Sequence, residues 1–300
     1  PYMSASFNLF QNKVVYKTIN TWMQSLNRIP ATTTAEALFK RKAATFHYLS
    51  FKPNKNLEIG IFEATIFKQY EEGVGVVPVH YSFYVPVIGF STGVNGLQNE
   101  NNTLLGLNAS YKLGKSIEIY GQFAIDDVNK MGQQLGAKYY NCFGLKRSWL
   151  MLEFNRADSY MYSHTQADRL QNYSHTNQEL AHPIGAGFNE IVGQFYLRPY
   201  DRVNLTAHAV YSIRQRFGGG THGENVLLAN DLNLPLIAPL DVNSLYLRLE
   251  ASYKFNVKTN MEVYVSGAIR NMNYSVGNPQ KENFIFFGIR TNLSNFYFDI

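Results

Sequence analysis

Alternation with a period of two runs through most of the chain. In 103–113 an apolar row, Leu105, Leu107, Ala109, Tyr111 and Leu113, faces away from Gly106, Asn108, Ser110 and Lys112. In 245–255 Leu245, Leu247, Leu249, Ala251, Tyr253 and Phe255 oppose Tyr246, Arg248, Glu250, Ser252 and Lys254. The segments 117–126, 203–213 and 261–269 repeat the pattern. Side chains of a strand point alternately to its two faces, so each segment predicts a strand with one apolar and one polar side. Eight further candidates are 2–10, 13–24, 42–51, 56–66, 135–146, 148–157, 190–199 and 283–300. The best-alternating segments run about 9–13 residues, the reach of a tilted membrane-crossing strand rather than of a globular one. Charges such as Glu118, Arg248 and Glu250 fall mid-strand on the polar row. A basic residue facing lipid there costs about 2–4 kcal/mol, and an acidic one somewhat less, so that row must face water or its own partners.

The connections divide into two classes. The short ones are Gln11-Asn12, Lys52 to Lys55, Gly114-Lys115, around Lys146-Arg147, Pro199 to Asp201, and Asn256 to Thr259. The long ones are 25–41, 67–102, 127–134, 158–189, 214–243 and 271–282. They alternate along the chain, as short periplasmic turns and long extracellular loops do in outer-membrane barrels. The expected fold is therefore all-β, an antiparallel transmembrane β-barrel of about 13–14 strands, residues 1–300 forming one barrel domain. The aromatic, alternating end 295–300 fits an interfacial girdle. Thirteen strands is an odd number and single-chain bacterial barrels carry even ones, so at least one strand is expected N-terminal to Pro1. Within the loops, 30–40 has the propensity of a short helix after a threonine cap.

Composition agrees with a barrel. Of 300 residues only 16% are charged, while Tyr and Phe number 21 each. Soluble domains average about 25% charged residues. Mean hydropathy is −0.23 and no apolar run is long enough for a membrane helix. The net charge of +5 comes from scattered residues with no basic stripe, which argues against nucleic acid as a partner. The single Cys142 excludes a disulfide framework. Pro1 to Ser4 already read as strand, so the signal peptide that an exported protein carries is expected to have been removed or to lie outside residues 1–300.

The densest polar cluster lies in 158–189: Tyr160, Tyr162, His164, Asp168, Arg169, Asn172, Tyr173, His175, Asn177, Gln178 and His182. Aromatic faces with amide, carboxylate and guanidinium groups are suited to sugars, the ring stacking on the less polar sugar face while the polar groups pair hydroxyls. The competing reading is a long loop folded into the lumen and satisfying its own backbone. The spacings of His164, His175 and His182 match no zinc signature, so no metal or other cofactor is expected. No Gly-x-Ser-x-Gly elbow occurs, and the expectation is a non-enzyme. Gly218-Gly219-Gly220 is followed by Thr221-His222-Gly223 without the lysine of a phosphate loop, and reads as a flexible extracellular tip. Inward tyrosines Tyr120, Tyr246 and Tyr264, with Lys112, Arg248 and Arg270 among Glu118, Glu250 and Glu262, read as a crossed, partly filled lumen, which weakens the alternative of a general diffusion porin.

Four stretches carry a family resemblance: Leu57 to Glu63, Tyr81 to Phe90, Tyr120 to Asp127, and above all Asn172 to Glu190. Together they resemble the Wzi-like capsule-assembly barrels of Bacteroidetes, RemB-type gliding-motility proteins included, over roughly residues 40 to 300. The resemblance implies an outer-membrane barrel in contact with lipid, binding surface polysaccharide or serving gliding and type IX secretion machinery. Complete members are longer at the N-terminus, which agrees with the missing-strand expectation. The resemblance supplies no catalytic residues.

Overall fold

The computed structural model describes residues 2–28, 39–97, 100–126, 130–164, 169–216, 223–227 and 240–291. Among the described residues, thirteen long strands form one antiparallel sheet in which each strand pairs with the next. They are β1 (Tyr2–Leu9), β2 (Val14–Arg28), β3 (Phe39–Phe51), β4 (Leu57–Lys68), β5 (Asn102–Leu113), β6 (Ile117–Asp126), β7 (Lys130–Tyr140), β8 (Ser148–Ala157), β9 (Phe188–Tyr200), β10 (Val203–Arg216), β11 (Leu240–Asn256), β12 (Met261–Tyr274) and β13 (Gln280–Arg290). This is the expected fold class and strand count. The predicted helix over 30–40 and the aromatic end 295–300 fall outside the described residues, except that Phe39 and Lys40 open β3.

Boundaries shift in two ways. The strand expected over 135–146 runs over 130–140 instead. Its alternation is interrupted at the start by Gly132, but the backbone still pairs there with β6 and β8. It stops at Tyr140 because Asn141, Phe143 and Arg147 take left-handed conformations, and the Asn141 side chain accepts from the Arg147 amide at 3.0 Å. At the extracellular ends, strands outrun their apolar pattern. Arg270, Asn271 and Asn273 still pair with β11, so the connection expected over 271–282 shrinks to 275–279, and Lys130 to Gln134 of the connection expected over 127–134 belong to β7. Backbone pairing needs no apolar side chain, which is why the pattern ends before the strand does.

The register places the two rows as the alternation requires. Leu107, Leu135, Leu152, Ile191, Leu205, Leu247, Leu249, Val265, Ile285 and Phe287 are exposed on one face. That apolar face is the side which the alternation assigns to lipid in a transmembrane barrel. The opposite, lumenal row holds its charges in pairs. Arg248 meets Glu250 at 2.6 Å, and Arg290 bridges Glu250 at 2.6 Å and Glu262 at 2.5 Å. The inward tyrosines do not all cross the lumen. Tyr120 lies over Gly136 and Tyr264 over Gly288, glycines of the neighbouring strands whose missing Cβ leaves room for a ring against the wall.

What occupies the lumen is the loop between β8 and β9. It touches inward positions from β3 to β9. Buried Lys42 donates to the Asn172 carbonyl at 2.8 Å, Asn102 to the Gln171 carbonyl at 2.9 Å, and the Tyr162 amide to Asp126 at 2.7 Å. Its apolar base is Met161, fully buried against Ala64, Ala124, Ala157 and Leu104. Small wall residues at this level make the space: a Cβ on Gly132 would stand 3.2 Å from Met161 Cε.

Candidate functional site

The plug loop sorts the sequence-predicted residues into three groups. His164, Arg169 and Asn172 hold the loop itself. The Asn172 side chain accepts from the His164 amide at 3.0 Å and donates to the Val226 carbonyl at 3.0 Å, and Arg169 donates to the Leu227 carbonyl at 2.6 Å. Tyr160 has φ of 63° and is pressed against Gly223, where a Cβ would stand 2.4 Å from the Tyr160 Cα. Gly223, read as part of a flexible tip, is thus a packing residue, while 217–222 lie outside the described residues. His175 and Gln178 belong to a two-residue ribbon, Ser174–His175 against Gln178–Glu179, with exposed Asn177 in its turn. Thr176 and Asn177 both have positive φ, as a type I′ turn requires. His175 accepts from the Gln24 amide at 3.2 Å and fastens the ribbon to β2. Asp168 lies outside the described residues.

The third group, Tyr162, Tyr173 and His182, lines a cavity of about 310 Å³ between the plug and the inner wall of β5 to β9. The two tyrosine rings lie 5.9 Å apart, and Tyr173 also meets Phe46 edge-on at 6.1 Å. Burial, with the Asp126 carboxylate nearby, pushes the Tyr162 phenol up to about 12. Burial raises Tyr173 further, with Tyr162 and Asp126 adding to it. Both phenols therefore stay neutral donors at any physiological pH. His182 stacks on Phe188 at 4.4 Å and meets Glu190 Oε2 at 3.1 Å.

The wall opposite them was not singled out from the sequence. Gln134 donates to Asn155 at 3.2 Å; Asn155 donates to Glu153 at 2.9 Å and to Glu190 at 3.2 Å; Tyr120 donates to Glu153 at 2.6 Å. Gln134, Asn155 and Glu190 are direct cross-strand partners on β7, β8 and β9, so one polar row on three strands makes a ladder of amides and carboxylates. Gln122 and Gln134 also line a second, 200 Å³ cavity with Tyr48, Glu58, Asn108 and Tyr120. The polar track thus continues down the wall away from the plug. The sequence offered little signal for it: Gln134 fell in the connection expected over 127–134, Asn155 and Glu190 lay in expected strands with no face assigned, and only the register puts them side by side.

This architecture, an antiparallel sheet with an apolar outer face and a lumenal plug, can be compared with known proteins. The family model described as "Capsule assembly protein Wzi" matches residues 11–283. The chain belongs to the Wzi capsule-assembly family. Among solved structures it resembles the Escherichia coli outer-membrane protein Wzi, described as a carbohydrate-binding β-barrel involved in group 1 capsule assembly. The TM-score is 0.59 at 16% identity, covering 92% of this chain and 55% of that one. At that identity the likeness concerns the fold, and the chain spans about half the length of the Wzi structure it matches. An OccD1 (OprD) variant also matches, at TM-score 0.47 and 12% identity over 97% of this chain and 68% of that one. The comparison with curated proteins found no match. Membership of the Wzi family places the protein in the outer membrane.

Proposed function

We propose that this barrel holds a surface polysaccharide, and that the cavity between plug and wall is where a sugar residue sits. One observation carries the reading: the paired tyrosines Tyr162 and Tyr173, their rings tilted by 35°, share a space of about 310 Å³ with Gln122, Gln134 and Asn155, and Glu190 braces Asn155 and His182 from behind. That pairs an aromatic platform with donors and acceptors spaced for neighbouring hydroxyls. The carbohydrate binding stated for Escherichia coli Wzi supports the same class of ligand. The role is binding, without catalysis: the tyrosines offer a surface, the amides and carboxylates set orientation, and His182 positions Glu190. Of the residues anticipated from the sequence, His164, Arg169 and Asn172 act by holding the plug in place, and Tyr162, Tyr173 and His182 face the ligand.

The test is titration of purified protein with capsular polysaccharide fragments from the producing organism, by calorimetry. Asn155→Ala and Tyr173→Ala are expected to weaken binding at least tenfold, while Asn177→Ala in the exposed turn leaves it unchanged. Equal affinity in all three would defeat the site. The porin alternative is checked in planar bilayers, where large, steady conductance with all loops intact would favour diffusion over binding. The RemB-type reading, with gliding or type IX secretion components as partners, rests on the resemblance of 172–190. Crosslinking in native outer membranes tests it by recovering such a component.

A further inference from the structure

The plug covers the inner face of β2 to β5. The outer face of the same strands is covered too, by a different segment. Thr18, His47 and Glu63 are successive cross-strand partners on β2, β3 and β4. Glu63 continues the row of Ile59 and Ile61, both exposed, and pairs beside Leu105, two residues from exposed Leu107. Their row therefore faces lipid, yet Thr18, Asn20, Thr45, His47, Glu63 and Thr65 on it are all buried and polar. The residues that bury them are 77–97, which run back over the outside of the barrel as a strap.

The contacts fix the strap in place. Glu63 accepts from the Gly89 amide at 2.6 Å, the Thr92 amide at 3.0 Å and the Thr92 hydroxyl at 2.5 Å, so it caps the short helix α1 (Phe90–Asn95) from across the sheet. Asn20 donates to the Phe83 carbonyl at 2.5 Å and Tyr16 to the Pro86 carbonyl at 2.8 Å. Phe83 is buried against Phe67 and Trp22.

Three features say what the strap's other side meets. From Val77 to Leu97 there is no Asp, Glu, Lys or Arg, in a chain that is 16% charged. The side chains it turns outward, Tyr81, Tyr84, Val87 and Val94, are apolar or aromatic and exposed, and the strap lies on the face of the sheet that also exposes Ile59, Ile61 and Leu107. Its backbone is arranged for a dry environment: Pro78 and Pro86 have no N–H, and several other polar groups are paired with the strand row or within the strap. Irregular backbone at membrane depth persists only where its polar groups are satisfied in this way. An aqueous loop has no such requirement, and loops in water carry charge.

We infer that the strap is a lipid-facing part of the barrel wall, with Val87 and Val94 against outer-leaflet acyl chains and Tyr81 and Tyr84 among the interfacial aromatics. It exchanges a polar patch, which lipid would reject, for an apolar one. The Glu63 carboxylate is the tie that keeps it there.

Spin labels test this. Cysteine is placed at Val87 or Val94 in the protein in native outer membranes and in liposomes. The lipid-facing reference is Leu107→Cys and the aqueous reference is Val74→Cys, in the exposed hairpin before the strap; Cys142 is buried and unsubstituted protein gives the background. Oxygen accumulates in acyl chains and nickel chelates stay in water. The oxygen-to-nickel accessibility ratio at Val87 and Val94 is expected to match Leu107 and exceed Val74 severalfold. Glu63→Gln is expected to lower it towards Val74. A ratio like that of Val74 would overturn the inference. So would labels silent to both reagents in native membranes and oxygen-accessible only in liposomes, since a protein partner would then be the occupant. Where a cysteine variant fails to fold, Tyr84→Trp replaces it: quenching by brominated acyl chains supports the lipid contact, and quenching by iodide alone refutes it.

Discussion

Adding one methyl group at Gly136 tests whether the lumenal wall is built as described. A Cβ there would stand 2.4 Å from Tyr120 Cζ, 2.5 Å from its hydroxyl oxygen and 2.7 Å from Cε2. Carbon atoms pack comfortably at about 3.5–4.0 Å, so the ring must retreat by about an ångström. That retreat breaks the 2.6 Å bond from Tyr120 to Glu153, whose carboxylate also holds Asn155. Overpacking costs about 1–3 kcal/mol, partly relieved because a ring end can swing. A lost hydrogen bond to an ionised group adds about 1.5–3 kcal/mol. Gly136→Ala should therefore destabilise the folded barrel by about 2–4 kcal/mol. The control is Gly267→Ala on the outer face, where a Cβ would meet nothing within 4 Å. Urea unfolding in lipid vesicles, followed by tryptophan fluorescence, measures both. On a Tyr120→Ala background the cost of Gly136→Ala should vanish, because contacting pairs couple and separated ones do not. Equal stability of Gly136→Ala and Gly267→Ala, or additivity with Tyr120→Ala, would refute the ring-over-glycine wall.

Lys42→Met removes the buried ammonium that donates to the Asn172 carbonyl at 2.8 Å; the plug should become cleavable by added protease while the barrel stays heat-modifiable on gels. Tyr162, raised to about 12, favours the folded plug while neutral: that contribution is complete below about pH 10, the unfolded value, and is lost as pH rises through about 12. Absorbance at 295 nm should accordingly show tyrosines that titrate late and together with loss of plug protection. Leu249→Arg, at an exposed mid-strand position of the outer face, should cost about 2–4 kcal/mol in bilayers, measured by the same urea unfolding.

The fold was legible because its strongest signal, period-two alternation, is what a barrel between lipid and water imposes. It was clearest in β5, β6 and β10 to β12, where one face meets lipid. It was weakest in β3 and β4, and the structure says why. Residues 43–46 and 63–67 are almost continuously covered, since plug and strap bury both faces of the same strands. Alternation disappears wherever both sides are dry. The strap itself was visible only as a stretch of resemblance, 81–90, inside the long connection 67–102. The candidate site was half legible: Tyr162, Tyr173 and His182 stood out in a polar loop, but Gln134 fell in an expected connection and Asn155 was an unremarkable strand residue until register set them beside Glu190.

Coverage on both faces also divides the labour round the barrel. From β2 to β5 the sheet is the middle of three layers, fixed to the plug through Lys42 and Asn102 and to the strap through Glu63 and Asn20. A strand tied on both faces has little freedom to shift, so β4 and β5 can serve as the rigid side against which Tyr173 and the plug are set. From β10 to β13 the inner face carries a charge network instead, Arg248 and Arg290 with Glu250 and Glu262, exposed to the lumen beside a space of about 590 Å³. The amide ladder on β7 to β9 lies between these two regimes. A polymer is poorly held by a uniform tube, because every register along it is equivalent. A lumen with one rigid aromatic wall, a polar ladder beside it and an ionic surface further round breaks that equivalence, so the polysaccharide proposed above would be held in one register and one orientation.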